Sequence, residues 1–309
     1  MLPIIDAEAM GYFRAIMRSN EKSARALELT EEIIWLNPGH YTAWAYRLDI
    51  LKALKLDLHQ ELEFLNEFAL CNPKTYQLWH HRREIITLLG DPQGEFEFLE
   101  SVFKEDGKNF HAWAYRQWLL VAFDLWNGEL EFIEKILEVD VRNNSVWNQR
   151  FFVVTRASTI ALDQPTLARE LEFAWSKILL APGNESSWVY YRGLLEQFGT
   201  TDEWLAVEAQ LKNATKEDNI TPEDNGELLK EPQPSLTGSR FYWEMLVDVH
   251  TYKIQHTDKV IAVLNGTITT PDLTKQSRDE VQRLCAHLEE LDPVRKAYWT
   301  YRTDQLSVT

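Results

Sequence analysis

Apolar residues recur along most of the chain at the three- and four-residue spacing of amphipathic helices. Three clear segments are LDLHQELEFLNEFALC (56–71), DPQGEFEFLESVFKED (91–106) and NGELEFIEKILEVD (127–140). Asp57, Asp91 with Pro92, and Asn127 stand near their starts, and residues of these types cap helices. No strand-like alternation competes with this pattern, so it predicts an all-α chain.

Tryptophan marks a repeat in this helical pattern. Four Trp are separated by 35, 34 and 34 residues, and an Arg follows each one three positions later. The pairs are Trp44 with Arg47, Trp79 with Arg82, Trp113 with Arg116 and Trp147 with Arg150; Trp188 continues the series, and Trp299 with Arg302 restores it. Seven residues before most of these Trp stands Asn or Asp, namely Asn37, Asn72, Asp106, Asp140 and Asp292. Three of them precede Pro, which predicts a helix start about two turns before each Trp.

Each repeat unit therefore contains two helices. One helical hairpin cannot bury its apolar face alone, but stacked hairpins bury these faces against one another. The predicted fold is a right-handed α-α superhelix, a crescent-shaped solenoid of helical hairpins. Trp and Arg three apart share a helix face, so both are interpreted as structural. The Trp should fill the space between helices, and the Arg should reach a carboxylate or carbonyl of the next unit.

The regular pattern is interrupted once. The stretch from 217 to 239 is polar and contains several Pro and Gly, so it is predicted to be a loop or a disordered insertion. Helical patterns resume at Arg240 and at Pro271. We expect one domain over residues 1–309, because the last Trp/Arg unit needs the earlier stack to pack against.

Charge and composition exclude several classes of function. The formal net charge of -16 disfavours binding to nucleic acid. No apolar run approaches the roughly 20 residues that span a bilayer, and the N-terminal residues do not resemble a signal peptide. The two cysteines, Cys71 and Cys285, are too few for a disulfide framework. They are interpreted as buried small apolar residues in a cytoplasmic protein.

The repeat length first suggests a tetratricopeptide array, but the usual signals of that repeat do not align. The pattern of Asn or Asp, six residues, Trp, two residues and Arg instead resembles the protein prenyltransferase α-subunit repeat. The matching strings are NPGHYTAWAYR, NPKTYQLWHHRR, DGKNFHAWAYRQW, DVRNNSVWNQR and, more diverged, NESSWVYYR and DPVRKAYWTYR. The resemblance covers essentially the whole chain. It is strongest to the α subunit that farnesyltransferase and geranylgeranyltransferase type I share.

The resemblance implies an enzyme that is active only as a heterodimer. The α subunit would wrap around a β subunit that holds a catalytic zinc, and the complex would also need magnesium. The complex would transfer a farnesyl or geranylgeranyl group from its diphosphate to the Cys of a C-terminal CaaX sequence, as in small GTPases. Zinc would lower the pKa of the thiol, and cationic groups would stabilise the leaving diphosphate.

The same resemblance assigns the candidate site to the second and third units. It implies that Lys74 is the catalytic lysine that reaches the diphosphate and that Gln77 hydrogen-bonds the CaaX carboxylate. The remaining substrate-binding candidates are Tyr76, Asn109, Phe110 and His111. Phe110 replaces the more common Tyr and lacks its hydroxyl, and Thr75 replaces the more common Asn. The repeat register predicts that all these residues lie in the first helical turn of their units, where the helix dipole favours an anion.

No metal site is predicted in this chain. His80 and His81 are adjacent and therefore point to different faces of a helix, which disfavours a shared metal. Two other functions stay open at this point. One is the α subunit of the Rab-specific geranylgeranyltransferase, and the other is a tetratricopeptide-like scaffold that binds peptides without chemistry.

Overall fold

The computed structural model describes residues 7–157, 163–217 and 235–307. Helices form nearly all of this part of the chain, and it contains no strand. The first eight helices are α1 Ala7–Arg18, α2 Ala24–Leu36, α3 Tyr41–Leu54, α4 Leu58–Cys71, α5 Tyr76–Leu89, α6 Glu95–Glu105, α7 Phe110–Phe123 and α8 Glu129–Val139. The others are α9 Asn144–Arg156, α10 Gln164–Leu180, α11 Glu185–Phe198, α12 Thr201–Glu217, α13 Arg240–Gln255, α14 Thr257–Val263, α15 Thr270–Leu291, the 3₁₀ turn Pro293–Arg295 and α16 Lys296–Ser307.

The described chain divides into two compact units. The first comprises the residues up to Leu130 together with Ala157, and the second comprises Glu131–Arg156 and everything from residue 163 onward. In the first unit α2 packs on α3, α4 on α5 and α6 on α7, and in the second α10 packs on α11. These antiparallel pairs confirm the predicted all-α architecture of repeated helical hairpins. The expectation of a single domain stays a prediction.

The predicted helix starts before each Trp are wrong by about one turn. The helices begin at Tyr41, Tyr76, Phe110 and Asn144, three residues before the Trp. Asn37, Asn72 and Asp106 instead end the preceding helix, and the side chain of Asn37 accepts a hydrogen bond from the backbone N–H of Gly39. Asn and Asp favour such local turns as strongly as they favour helix N-caps, so the sequence alone did not separate the two.

The starts of the other helices are partly as predicted. Asp57 caps α4, because its side chain accepts a hydrogen bond from the N–H of His59. Asp91 and Asn127, by contrast, precede α6 and α8 by four and two residues. Gly94, at a φ of 85°, and Gly128, at a φ of 80°, stand directly before these two helices. Both glycines supply the left-handed backbone that the tight entry requires.

The Trp series is confirmed as part of the core, and the structure shows what its spacing achieves. The Trp side chains of the series are at most 6% exposed. In the first five, the indole N–H donates to the carbonyl six residues earlier: Trp44 to Pro38, Trp79 to Pro73, Trp113 to Gly107, Trp147 to Val141 and Trp188 to Pro182. Each of these Trp therefore links the preceding turn to the helix that contains the Trp by a hydrogen bond, while the indole ring packs in the core.

The Arg series also has the predicted role. Each of the first four Arg forms a buried ion pair with a Glu of the next unit: Arg47 with Glu61, Arg82 with Glu95, Arg116 with Glu129 and Arg150 with Glu170. In three of these pairs the Glu also binds a residue two positions after the next Trp, namely His81, Tyr115 or Tyr190. Every one of these Glu stands 18 residues before the next Trp, a spacing that sequence reasoning missed.

One of these buried carboxylates illustrates the electrostatics. Burial alone raises the pKa of Glu61, but hydrogen bonds from His81 and Arg47 outweigh burial and hold its pKa below the ordinary value. The carboxylate is therefore charged in the core, where a lone charge would be very costly. A charged Glu61 therefore joins Arg47 of the preceding repeat to His81 of its own repeat.

The C-terminal part contains a further repeat that the sequence analysis missed. Trp243 donates its indole N–H to the carbonyl of Thr237, six residues earlier, as in the other units. Trp299 is fully buried, but its indole N–H has no hydrogen-bond partner among the described residues, and Arg302 pairs with Asp248 of α13. Helices resume at Arg240 and Thr270, close to the predicted positions. Most of the predicted insertion, 218–234, lies outside the described residues.

Candidate functional site

Large side chains are exposed where α5 and α7 begin. Tyr76 is the first residue of α5 and Phe110 the first residue of α7, and each side chain is 70% exposed. Tyr41 has the same position in α3 and is equally accessible. Large aromatic residues are normally buried, so a row of exposed ones indicates a surface that contacts another molecule. We call the surface formed by Lys74, Tyr76, Gln77, Phe110 and His111 the rim; all of it lies in the first unit.

Lys74 was predicted to lie in the first helical turn of its unit, but it lies in the turn before α5. Its ammonium Nζ is 3.1 Å from Oδ2 of Asp106, and its side chain is 75% exposed. The hydrogen bond from Lys74 is the largest influence on Asp106 and, with the N–H of Lys108, holds the pKa of this carboxyl below its ordinary value. The described residues thus give Lys74 one ionic partner and leave most of its side chain accessible.

His111 connects the two helix starts. Its ring lies edge-on to Tyr76, with 4.3 Å between ring centroids, and close to Phe110 at 5.6 Å. Burial lowers the pKa of His111 below its ordinary value, so the ring is neutral at physiological pH. This arrangement favours a packing role for His111 and fixes the ring of Tyr76.

Asn109 is 2% exposed and forms internal contacts with both ends of its amide. Its oxygen accepts hydrogen bonds from the N–H groups of His111 and Ala112, and its nitrogen donates to the carbonyl of Pro73 at 3.1 Å. Asn184 makes the equivalent bond to Val141 in the second unit. Asn109 therefore holds the turn before α5 against the start of α7, and so supports the rim without itself being exposed.

Gln77 is half-exposed near the start of α5. Its side-chain amide nitrogen is 3.4 Å from the carbonyl of Gly39, a long hydrogen bond that a ligand can displace. Thr75 precedes α5 but forms no side-chain cap, whereas Asn109 caps α7. The N–H groups of the first turn of α5, directly after Lys74 in the chain, therefore receive no hydrogen bond from the Thr75 side chain.

The described residues contain no cluster of three or more His, Cys, Asp or Glu side chains that could hold a metal ion. His81 is buried against Glu61, while His80 is exposed on another face of α5. Both cysteines are free; Cys285 is buried as expected, but Cys71 is exposed at the end of α4, contrary to the prediction. In the same described part, no helix is both long and apolar enough to cross a membrane.

Comparison with known proteins decides the family. Five segments match the family described as protein prenyltransferase alpha subunit repeat: residues 23–54, 58–89, 92–123, 126–157 and 167–198. Together these segments cover just over half of the chain. The chain belongs to the protein prenyltransferase α-subunit family. The five segments coincide with the helical hairpins of the first five Trp units.

Individual family members agree with this assignment. The chain is 36% identical to the protein farnesyltransferase/geranylgeranyltransferase type-1 subunit alpha of Pisum sativum, over 97% of this chain and 85% of that protein. It is 57% identical to the same subunit of Schizosaccharomyces pombe, over 62% of this chain and 65% of that protein. A chain of the Candida albicans protein geranylgeranyltransferase-I complexed with GGPP superposes with a TM-score of 0.74 at 32% identity, covering 96% of this chain and 89% of that chain.

The Rab-type alternative receives much weaker support. Similarity to the geranylgeranyl transferase type-2 subunit alpha of Bos taurus extends over 24% of this chain and 15% of that protein, at 32% identity. The match to this α-subunit family also excludes the tetratricopeptide array as the source of the repeat. The chain is thus similar to farnesyltransferase and geranylgeranyltransferase type I α subunits over nearly its whole length.

Proposed function

We propose that this chain is the α subunit of a heterodimeric protein prenyltransferase of the farnesyltransferase and geranylgeranyltransferase type I kind. The complex transfers a farnesyl or geranylgeranyl group from its diphosphate to the Cys thiol of a C-terminal CaaX sequence. The observation that carries the proposal is near-full-length similarity to such subunits, combined with an accessible lysine among exposed aromatic side chains.

The electrostatics of the rim suit a diphosphate ligand. Lys74 supplies a full positive charge, and the start of α5, which the Thr75 side chain does not cap, supplies partial positive charge beside it. Exposed Tyr76 and Phe110 offer apolar surface next to that charge. A ligand with an anionic end and an apolar chain needs this combination.

The reaction separates charge at one bond. The peptide Cys releases its thiol proton to solvent, and its sulfur bonds to C1 of the isoprenoid as the bond from C1 to the bridging oxygen breaks. The diphosphate leaves with both electrons of that bond. Negative charge grows on the leaving oxygens, so a cation held there stabilises the transition state more than the ground state. Lys74 has this role in the proposal, and Gln77 binds the C-terminal carboxylate of the peptide.

The other components of the enzyme belong to the partner. The residues described in this chain do not fit a zinc site, so we assign the zinc to the β subunit and derive no step from it. We also propose that the complex needs magnesium and acts in the cytoplasm. Exposed Tyr76 and Phe110 would be covered in that complex, where the partner completes the isoprenoid pocket.

The test is product analysis with the co-expressed heterodimer. The complex, with a farnesyltransferase-type or a type I β subunit, is mixed with farnesyl or geranylgeranyl diphosphate and a CaaX peptide. Mass spectrometry should show one isoprenoid added to the Cys, and a peptide with Ser in its place should stay unmodified. Absence of the adduct with both β subunits and both diphosphates would refute the proposal.

A further inference from the structure

The negative charge of Asp106 is not required by the turn that contains it. Its Oδ1 accepts a hydrogen bond from the backbone N–H of Lys108 at 3.1 Å. In the first repeat, Asn37 makes the same bond to Gly39, also at 3.1 Å. A neutral amide therefore supports this turn as well as a carboxylate does. The second oxygen of Asp106, and the charge, remain available for another contact.

That contact is Lys74. Oδ2 of Asp106 is 3.1 Å from the Lys74 ammonium, and the Asp106 side chain is only 34% exposed. The backbone N–H of Asp106 donates to the carbonyl of Val102, and its Oδ1 accepts from the N–H of Lys108, so the residue is held through its backbone and one carboxylate oxygen. Lys74 has a long, flexible side chain, and Asp106 is a stationary anion at its tip.

We propose that Asp106 is a positioning residue that competes with diphosphate for Lys74, holding the ammonium in the free enzyme and recapturing it when the diphosphate leaves. This inference rests on the proposed function of Lys74. A carboxylate beside the ammonium cancels part of the attraction that Lys74 exerts on an anion before reaction. Asp106 therefore weakens the binding of substrate diphosphate and of the released inorganic diphosphate alike.

The competition has a definite thermodynamic consequence. A diphosphate that engages Lys74 must first break the contact between Lys74 and Asp106, so the net gain in ground-state affinity is small. Removing Lys74 alone then changes affinity little, because the attraction of the ammonium for diphosphate and the ion pair that opposes it are lost together. Removing Asp106 alone leaves Lys74 free to bind every diphosphate, which favours both substrate binding and inhibition by the product.

The experiment measures inhibition of the heterodimer by inorganic diphosphate and the affinity for isoprenoid diphosphate. In Asp106→Asn both the inhibition constant and the dissociation constant should fall about two- to fivefold, the effect expected for an exposed ion pair. Single-turnover prenylation should not be slower than in the wild type. The variant should fold normally, because Asn37 at the equivalent position of the first repeat supports the same turn. A change in either constant would therefore not come from a folding defect.

Two controls isolate the contact with Lys74. Asp140→Asn makes the same substitution one repeat later, where the side chain likewise accepts an N–H from the following turn, and should leave both constants unchanged. Adding Asp106→Asn to Lys74→Ala should lower both constants less than Asp106→Asn does alone, because only the direct repulsion between Asp106 and the diphosphate is then removed. Unchanged constants in Asp106→Asn, an equal fall in Asp140→Asn, or an equal fall without Lys74 would overturn the inference.

The same variants separate this inference from the function on which it rests. If Lys74→Ala reacts as fast as the wild type in a single turnover, the proposed role of Lys74 itself fails. If Lys74→Ala is slow but Asp106→Asn binds diphosphate no more tightly than the wild type, only the competition fails.

Discussion

At the scale of single residues, the account depends on Lys74, an accessible cation whose one described ionic partner is Asp106. We expect Lys74→Ala to slow single-turnover prenylation by the heterodimer about 10²–10³-fold, the usual effect of removing one preorganised group that stabilises a developing anion. Heterodimer assembly should be unchanged, because the Lys74 side chain is largely exposed and contributes nothing to the core. The measurement is rapid-mixing kinetics with enzyme in excess over substrate.

Lys108→Ala is the matched control for this prediction. Lys108 has the same position in the turn of the third repeat, and the substitution preserves the hydrogen bond from its backbone N–H to Asp106. A general loss of positive charge would slow both variants equally. Equal rates for the two variants, or a wild-type rate for Lys74→Ala, would contradict a specific catalytic lysine.

Most rim residues could be assigned from the sequence, but their exact surroundings could not. The repeat register located Lys74, Tyr76, Phe110 and His111 near helix starts, and the structure brings them onto one exposed surface. Asn109 shows the limit of that reasoning. The family resemblance suggested contact with substrate, yet both ends of the Asn109 amide are used inside the protein. Tertiary hydrogen bonds of this kind are not visible in residue spacing.

At the scale of elements, successive hairpins are joined by the buried Arg–Glu pairs. Arg82 is buried, and two of its nitrogens bond to Glu95, which also accepts a hydrogen bond from Tyr115. We expect Glu95→Ala to lower the free energy of unfolding by about 3–5 kcal/mol, because it leaves a buried guanidinium without its charge partner. Chemical denaturation monitored by circular dichroism measures this change.

Glu97→Ala is the control in the same helix. Glu97 lies in the first turn of α6 like Glu95 but is exposed, so its removal should change the unfolding free energy by less than about 0.5 kcal/mol. If both variants unfold like the wild type, the Arg–Glu pairs do not join the hairpins energetically. If both are equally destabilised, the effect comes from the helix and not from the ion pair.

A buried histidine gives the second unit a specific dependence on pH. His250 is surrounded by Glu208, Lys253, Lys212 and Glu280; burial, helped by the charge of Lys253, lowers its pKa to about 4. The unfolded chain takes up this proton near 6.5, so stability falls as pH falls from about 6.5 to about 4. His250→Gln should therefore reduce the decrease in Tm between pH 7 and pH 4.5.

An exposed histidine provides the comparison for this measurement. His59→Gln should keep the wild-type dependence of Tm on pH, because His59 lies at the surface of α4. Equal decreases in Tm for the wild type and His250→Gln would show that His250 does not contribute to acid sensitivity.

At this scale the sequence predicts which segments are helical, but it predicts the first residue of each helix less well. Periodicity located nearly every helix of the first five repeats. Asn37 was nevertheless assigned to the wrong helix end, because Asn supports both a cap and a turn. Trp243 was overlooked because Leu246, and not Arg, stands three residues later. Its indole bond to Thr237 identifies it as a repeat residue only once the turn geometry is known.

At the scale of the whole molecule, the central claim is that this chain is one half of an enzyme. Its rim exposes a lysine and aromatic side chains, while the residues described contain no metal-binding cluster. Family similarity supports the same division of labour, since the relatives it matches over nearly its whole length are named as α subunits. The source of the repeat was recognisable from sequence, but the identity of the β partner was not.

The most direct test is the rate of prenyl transfer to a CaaX peptide by three preparations: this chain alone, a type I or farnesyltransferase-type β subunit alone, and the two co-expressed. The account predicts that the two subunits co-purify in equal amounts and that only this complex transfers the isoprenoid. Transfer by the β subunit alone at the rate of the complex, or a stable complex that transfers nothing to the peptide, would contradict the account.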